Sequence, residues 1–337
     1  MCGRPNLAIM RVKIAILHFN SAIHLGYGMG EEYDRSCDVI CSDTLSGALC
    51  SQYAGSGAGD VRAFMESYRV SSAMPILGRR LFLPLPPDKQ CLTIRGDESA
   101  YKRLKALRWI EQPLWERLAS EGSLEVEETM ISHCGSAVCC GSGEEVVILK
   151  HALEQKVAIR SGEDADPFFV DKVFMGKGVA MAVIYSAENE AMFRKAFEML
   201  ADAGIGTDRS CGNGAFKVEF DELDIAVDTS ITTSQILSMW IPQPQECSGD
   251  VMSRSCYKLV TRGGYAAGAA NPNERHHRKR RINMVEGGAY VAAKCESLCG
   301  TIVDLNVEDG VDRVSHPIWR DGRVYSLPFK MSAYGKV

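Results

Sequence analysis

The residues best suited to chemistry lie in one short stretch, Gly204-Ile205-Gly206-Thr207-Asp208-Arg209-Ser210-Cys211-Gly212-Asn213-Gly214. Glycine at 204, 206, 212 and 214 lets the main chain take left-handed angles and approach a ligand with no Cβ in the way. Main-chain N–H groups exposed in this manner suit phosphate. Arg209 adds a guanidinium whose fork matches phosphate oxygens, and Ser210 adds a hydroxyl donor. A helix C-cap accounts for Gly204 but not for the other three glycines. A dinucleotide-binding fingerprint runs from a strand into a helix, whereas this stretch runs from a helix into a strand, which argues against that fold.

Other reactive groups are less organised. His18 lies within an apolar run and reads as a packed residue. His24 precedes a loop with no Lys or Tyr beside it to complete an acid–base pair. Glu31, Glu32, Asp34 and Asp38 read as a solvated loop rather than a metal-binding carboxylate set. Neither a phosphate-binding G-x-x-x-x-G-K-[ST] run nor a G-x-S-x-G elbow occurs. The thirteen cysteines form no C-x-x-C pair and read as buried, reduced thiols. No catalytic residue, metal or cofactor is expected. Two basic segments remain. Lys102, Arg103, Lys105 and Arg108 share a helix pattern with Leu104, Leu107, Trp109 and Ile110, the mark of a charged face over a core face. Asn271 to Arg281 carries Arg275, Arg278, Lys279, Arg280 and Arg281 against only Glu274, and its charge density favours RNA or an acidic partner.

Composition sets the frame. With 337 residues the chain exceeds what one core usually serves, so two domains, or one with a large insertion, are expected. Hydrophobic residues at 46% and charged residues at 24% exclude a mainly disordered or membrane-embedded chain. The longest apolar runs, such as Val179 to Tyr185, fall far short of a bilayer span, and residues 7 to 19 read as a buried strand rather than an export signal. These features point to a cytoplasmic protein. A net charge of -5 argues against indiscriminate nucleic-acid coating but permits a local basic groove.

The elements that position the glycine-rich stretch follow from periodicity. A strand over residues 11 to 19 precedes a loop with Gly26, Gly28 and Gly30, then a helix capped by Ser42 or Asp43. Two extended runs follow, Tyr68 to Met74, closed by Pro75, and Arg80 to Leu85. Residues 88 to 165 read as an insertion, with a basic helix over Tyr101 to Ile110. Phe168 to Met175 and Val179 to Tyr185 flank Gly176-Lys177-Gly178 as a hairpin. A helix capped by Ser186 then buries Phe193, Ala196, Phe197 and Leu200 until Gly204, and Ala215 to Phe220 is a strand. The order reads as an α+β chain with a ferredoxin-like (RRM-like) first domain over residues 1–224. A second domain over 225–337 has extended candidates at Gln235 to Ile241, Tyr257 to Tyr265, Ile282 to Ala293 and Arg323 to Pro328, with turns at Gly263-Gly264 and Asp321-Gly322.

An ordered set of segments resembles a known family. Beside the glycine-rich loop stand Ser42-Asp43-Thr44-Leu45, Ser71-Ser72-Ala73-Met74-Pro75 with Leu81-Phe82-Leu83-Pro84-Leu85-Pro86, Tyr257-Lys258-Leu259 with Arg262-Gly263-Gly264, and His316-Pro317-Ile318-Trp319-Arg320. Together they resemble the RAMP subunit that caps the guide RNA 5′ handle in type III-A CRISPR (Csm) effector complexes, subunit four of that complex. The resemblance implies two ferredoxin-like domains, the first with a long thumb-like insertion, and no nuclease activity. It also implies a grip on the crRNA 5′ handle, contacts to the large Palm-domain signalling subunit and the neighbouring backbone RAMP subunit, and indirect contact with target RNA. The residues expected to bind RNA are Gly204, Gly206, Arg209, Ser210, Gly212, Gly214, Ser42, Thr44, Arg160, Arg262, Arg278 and Arg280, with Arg160 near the end of the thumb. The family loop usually has a third glycine, basic residues, paired serines and an aromatic between glycines where Thr207, Asp208, Cys211, Asn213 and Ala215 stand here, so the loss of two basic side chains and the gain of Asp208 should weaken electrostatic phosphate binding. The family chain tends to begin at the first strand, which makes Met10 the expected native start. Two alternatives stand beside this reading: a RAMP-type endoribonuclease that processes CRISPR repeat RNA, and a protein–protein scaffold that does not touch RNA.

Overall fold

The computed structural model describes residues 7–26, 33–95, 100–158, 166–265, 277–310 and 313–331. Alternating β-branched and apolar residues make Leu7–Phe19 a long first strand, β1. It starts ahead of Met10, and Leu7 already pairs with Asp228. Helices α1 (Ser42–Gly55) and α2 (Val61–Glu66) lead to strands β2 (Tyr68–Val70), β3 (Met74–Leu77) and β4 (Arg80–Pro84). The run expected from Tyr68 to Met74 is therefore broken, and Pro75 lies inside β3, opposite Met181, rather than ending a strand. Next come β5 (Leu92–Arg95), α3 (Ala100–Ala106), β6 (Trp109–Glu111), α4 (Gln112–Glu121), β7 (Leu124–Glu127) and β8 (Ala137–Val138). The basic helix stops at Ala106, because Trp109 and Ile110 pair with Pro84 and Leu83 instead.

Strands β9 (Leu149–Ala158) and β10 (Asp166–Met175) form a two-stranded arm. The hairpin expected across Gly176-Lys177-Gly178 does not form, since β10 pairs with β9 while β11 (Val179–Ala187) pairs with β1, β2 and β3. Helix α5 (Glu190–Ala203) begins at Asn189, whose side chain accepts from Met192 N at 3.1 Å; Ser186, the expected cap, is still in β11. Its buried face, Phe193, Ala196, Phe197 and Leu200, is the expected one. Strand β12 (Phe216–Asp228) then pairs with β1 over its whole length, so it crosses the boundary expected at 224 and 225 without a break. The C-terminal region holds β13 (Ser234–Ile236), α6 (Gly249–Ser253), β14 (Leu259–Arg262), β15 (Ile282–Val285), β16 (Tyr290–Val291), β17 (Gly300–Asp304), β18 (Trp319–Arg323) and β19 (Ser326–Pro328). Asp321-Gly322, read as a turn, lies within β18.

The chain is a mixed α+β protein built mostly from sheet. The main sheet runs β12-β1-β11-β3-β4-β6-β8, with β2 also on β11. Strands β6 and β8 belong to the segment expected as an insertion, so much of that segment is built into the sheet, and the β9–β10 arm is what stands apart. Helices α1 and α5 cover one face, where Leu45, Leu49, Phe197 and Leu200 meet Ala15, Leu17 and Val183. The other face, through Val12, Ile14 and Ile184, packs on Trp115 and Leu118 of α4 and on Leu237, Leu327 and Phe329 from the C-terminal region. One core thus joins both halves of the chain. Its buried polar point is Gln235, which accepts from Trp115 Nε1 at 2.7 Å and donates to Pro84 O at 2.9 Å. The C-terminal sheets among the described residues are three-stranded (β16-β13-β19) and two-stranded (β14-β15, β17-β18). No helix of the described residues is long and apolar enough to cross a membrane.

Candidate nucleic-acid interface

Three segments meet at one end of the main sheet. Phe19, the last residue of β1, lies opposite Phe216, the first of β12, so the link from α5 to β12 arrives where β1 runs out. The chain leaving β1 is held on both sides. Ala22 O accepts from Gly214 N at 2.9 Å and His24 O accepts from Thr207 N at 3.0 Å, while Ile23 exchanges two hydrogen bonds of 2.9 Å with Val173 at the foot of the β9–β10 arm.

The glycine-rich link divides its glycines between two tasks. Gly204, Gly206, Gly212 and Gly214 all have positive φ, as the sequence implied. A Cβ on Gly206 would lie 2.5 Å from His24 O, and one on Gly214 would lie 2.0 Å from Ile205 O. On Gly204 it would lie 3.1 Å from Gly214 C, so these three serve close contact of the chain with itself rather than with a ligand. Gly212 faces open space. The tip is exposed at Arg209, Cys211 and Gly212, and Arg209–Cys211 forms a single 3-10 turn that contains Ser210. Asp208, ahead of that turn, has φ 58°, the one positive-φ non-glycine among the described residues. Its carboxylate is ion-paired with Lys156 of β9, which ties the tip to the arm.

The start of α1 is bound to the C-terminal region. Ser42 and Asp43 do not cap the helix; residue 41 holds that position without a side-chain hydrogen bond. Ser42 is buried, and its hydroxyl accepts from Met239 N at 2.8 Å, which withdraws it from RNA contact. Asp43 is fully buried between Arg262, with Nε 3.0 Å from Oδ2, and Arg320. Burial alone would raise the Asp43 carboxyl, yet Arg262 and Arg320 together hold it below its ordinary value. Arg262 also donates to Thr44 Oγ1 at 2.7 Å. Thr44 and Arg262, expected to touch RNA, are therefore first of all partners of each other. Lys279 joins them from the basic segment, its ammonium pushed down to about 8 by burial and by the Arg320 and Arg262 charges.

The remaining expected residues are spread out. Arg278 is exposed and lies 5.7 Å from the Tyr265 ring, and exposed Arg280 donates to Asp304 O at 2.5 Å. Arg160, Gly28, Gly30 and Arg275 lie outside the described residues. His18 is exposed on β1 beside Glu219 at 3.2 Å rather than packed in the core. His24 is 3% exposed, with Nδ1 2.7 Å from Asp171 O. Sequence reasoning gave Arg320 no role of its own and missed Lys156 and His151, the latter bridging Asp38 (3.0 Å) and Asp171 (2.9 Å) at the foot of the arm. Their partners stand far away in the chain, 277 residues in the case of Arg320 and Asp43, and no local spacing signals such a pair.

Comparison with known proteins accords with this architecture. Residues 232–329 match the family model of the CRISPR Csm4 C-terminal domain. A Csm4 protein of Thermococcus onnurineus (strain NA1) is 24% identical over 313 residues, covering 87% of this chain and 91% of the relative. A chain of a solved Csm3-Csm4 subcomplex of the type III-A CRISPR-Cas interference complex superposes with a TM-score of 0.63 at 16% identity, over 94% of this chain and 99% of that one. A chain of a Csm1-Csm4 cassette solved with cA4 gives 0.61 at 17% identity, over 96% and 99%. The resemblance read from the sequence, to subunit four of the Csm complex, is borne out.

Proposed function

We propose that the chain is a non-catalytic crRNA-binding subunit of a type III-A CRISPR interference complex, working in the cytoplasm and gripping the 5′ handle. The observation that carries this reading is the convergence, at one end of the sheet, of an exposed loop tip bearing Arg209 with the β9–β10 arm. An exposed guanidinium and an adjacent projecting arm suit backbone contact to a single strand beside splayed bases, whereas the N–H groups of Gly204, Gly212 and Gly214 are spent within the chain on Leu200 O, Arg209 O and Ala22 O. The connectivity β1-α1-β3-β11-α5-β12 with spatial order β12-β1-β11-β3 supports reading the first half as ferredoxin-like (RRM-like), with the β9–β10 arm as its thumb. The solved Csm1-Csm4 and Csm3-Csm4 assemblies supply the partner classes. By analogy, this chain seats the large Palm-domain signalling subunit and meets the neighbouring backbone RAMP subunit, with target RNA reached indirectly through the guide.

The burial of His24 favours binding over cleavage, because a general base must reach the hydroxyl it activates. Incubating the purified chain with repeat RNA separates the two. Stoichiometric retention of uncut RNA supports the binding subunit; multiple-turnover cutting that His24→Ala abolishes makes it an endoribonuclease. Absence of RNA contact, read by crosslinking in the assembled particle, leaves the scaffold.

A further inference from the structure

The ladder between β1 and β11 ends at Leu17 and Met181. Beyond it a cleft of about 420 Å³ opens where the end of β1 meets the turn that joins β10 to β11. Phe19, Asn20 and Ser21 line it from the first segment, and Phe174, Gly176 and Gly178 from the second. Its volume is that of a small-ligand pocket. Phe174 is 41% exposed, and the half-buried Phe19 ring is braced from behind by Phe216 at 5.2 Å. Ser21 Oγ is buried and has no hydrogen-bond partner among the described residues. A hydroxyl left so is unfavourable, and a ligand that donates or accepts there offsets the cost. Asn20 is exposed next to it, with an amide able to do both. Lys177 is exposed on the turn itself. The cleft also adjoins the candidate interface, because Ala22 O, one residue beyond Ser21, accepts from Gly214 N at 2.9 Å, and Val173, one residue before Phe174, is bonded to Ile23.

We propose that this cleft holds one unstacked nucleobase of the bound RNA, its ring against Phe174 and Phe19 and its polar edge toward Ser21 and Asn20. The occupant rests on the function proposed above; the site rests on the cleft, its two aromatic rings and the unpaired Ser21 hydroxyl. Aromatic faces beside a hydroxyl and an amide suit a flat heterocycle with a hydrogen-bonding edge, and Lys177 suits the phosphate next to it. The glycine-rich link and the cleft then divide the work, with Arg209 on the backbone and Phe174 on a base.

The test uses the full chain, as wild type, Phe174→Ala and Ser21→Ala, and repeat RNAs that carry a single abasic site at each position in turn. Phe174→Ala should weaken binding of intact RNA about five- to hundredfold, the loss of one stacked base, at an unchanged salt slope. Ser21→Ala should weaken it about two- to tenfold while Tm holds or rises, since the hydroxyl gives up no protein partner. One abasic position should cost wild type a similar factor and cost Phe174→Ala nothing further. Where Phe174→Ala lowers Tm, the same comparison is read with Ser21→Ala. If wild type binds RNA and both variants bind it equally well, or if every abasic loss adds in full to that of the variant, the base site is overturned and the RNA-binding function stands. If wild type binds no repeat RNA, the function and this occupant fall together.

Discussion

Lys156 on β9 is ion-paired with Asp208 at the tip of the glycine-rich link, so the residue that makes the loop less basic is neutralised by the arm beside it. Asp208→Asn should release Lys156 without disturbing the backbone, since Asn tolerates the left-handed angle held at φ 58°. RNA affinity should rise, and its salt dependence should steepen by up to about 0.7 in log–log slope as Lys156 becomes available to a phosphate. Filter binding across a salt series measures both. An unchanged slope would mean that Lys156 stays committed elsewhere.

Arg209 is the exposed cation of the tip, and Arg209→Ala should act in the opposite direction. Affinity for the handle should drop and the salt slope should flatten by about 0.7, with little change in stability. A loss of affinity at constant slope would assign Arg209 a base or protein contact in place of a phosphate contact.

The glycines separate packing from access. Gly206→Ala places a Cβ 2.5 Å from His24 O at φ +97°, whereas Gly212→Ala meets open space at φ +80°. The Gly212 variant should lose about 1–2 kcal/mol for its left-handed angle alone. The Gly206 variant should lose roughly twice that or more, because the backbone of the β1–α1 link must also move. Urea midpoints provide the comparison, and equal losses would contradict the packing role assigned to Gly206.

Asp43 is held below its ordinary carboxylate value by Arg262 and Arg320 against the opposing effect of burial. Such a group contributes stability in full above its unfolded pKa, about 4, and that contribution is lost as pH falls through the lower folded value. Asp43→Asn should cost about 3–5 kcal/mol at neutral pH, because two buried guanidiniums lose their counter-charge. It should also flatten the acid limb of the stability profile below pH 4. An acid limb as steep as that of wild type would move the pH sensitivity to other carboxylates.

The sequence revealed what is local and hid what is distant. The buried face of α5, the left-handed glycines and the strand character of residues 11 to 19 all follow from neighbours within a few positions. Strand partners do not: the turn signal at Gly176-Lys177-Gly178 is compatible with a hairpin, but β1 already occupies one edge of β11 and β3 the other, so β10 turns to β9. The same logic governs Ser42. Its type and position fit a helix cap, yet Met239, from the other half of the chain, donates to its hydroxyl. Asp43 stands 219 residues from Arg262, and only the fold shows Asp43, Thr44, Arg262 and Arg320 as one cluster.

The pairing of Leu7 with Asp228 and of Phe19 with Phe216 has a bearing on biosynthesis. Strand β1 leaves the ribosome long before β12 and cannot complete its sheet until the last residues of β12 emerge, a wait on the order of ten seconds or more at about 5–20 residues per second. Throughout that interval a 13-residue strand rich in Ile, Leu and Ala has an unfilled edge. Nascent chains of this protein are thus a natural client for a holding chaperone, and its yield should respond to translation rate more than that of proteins built from local contacts.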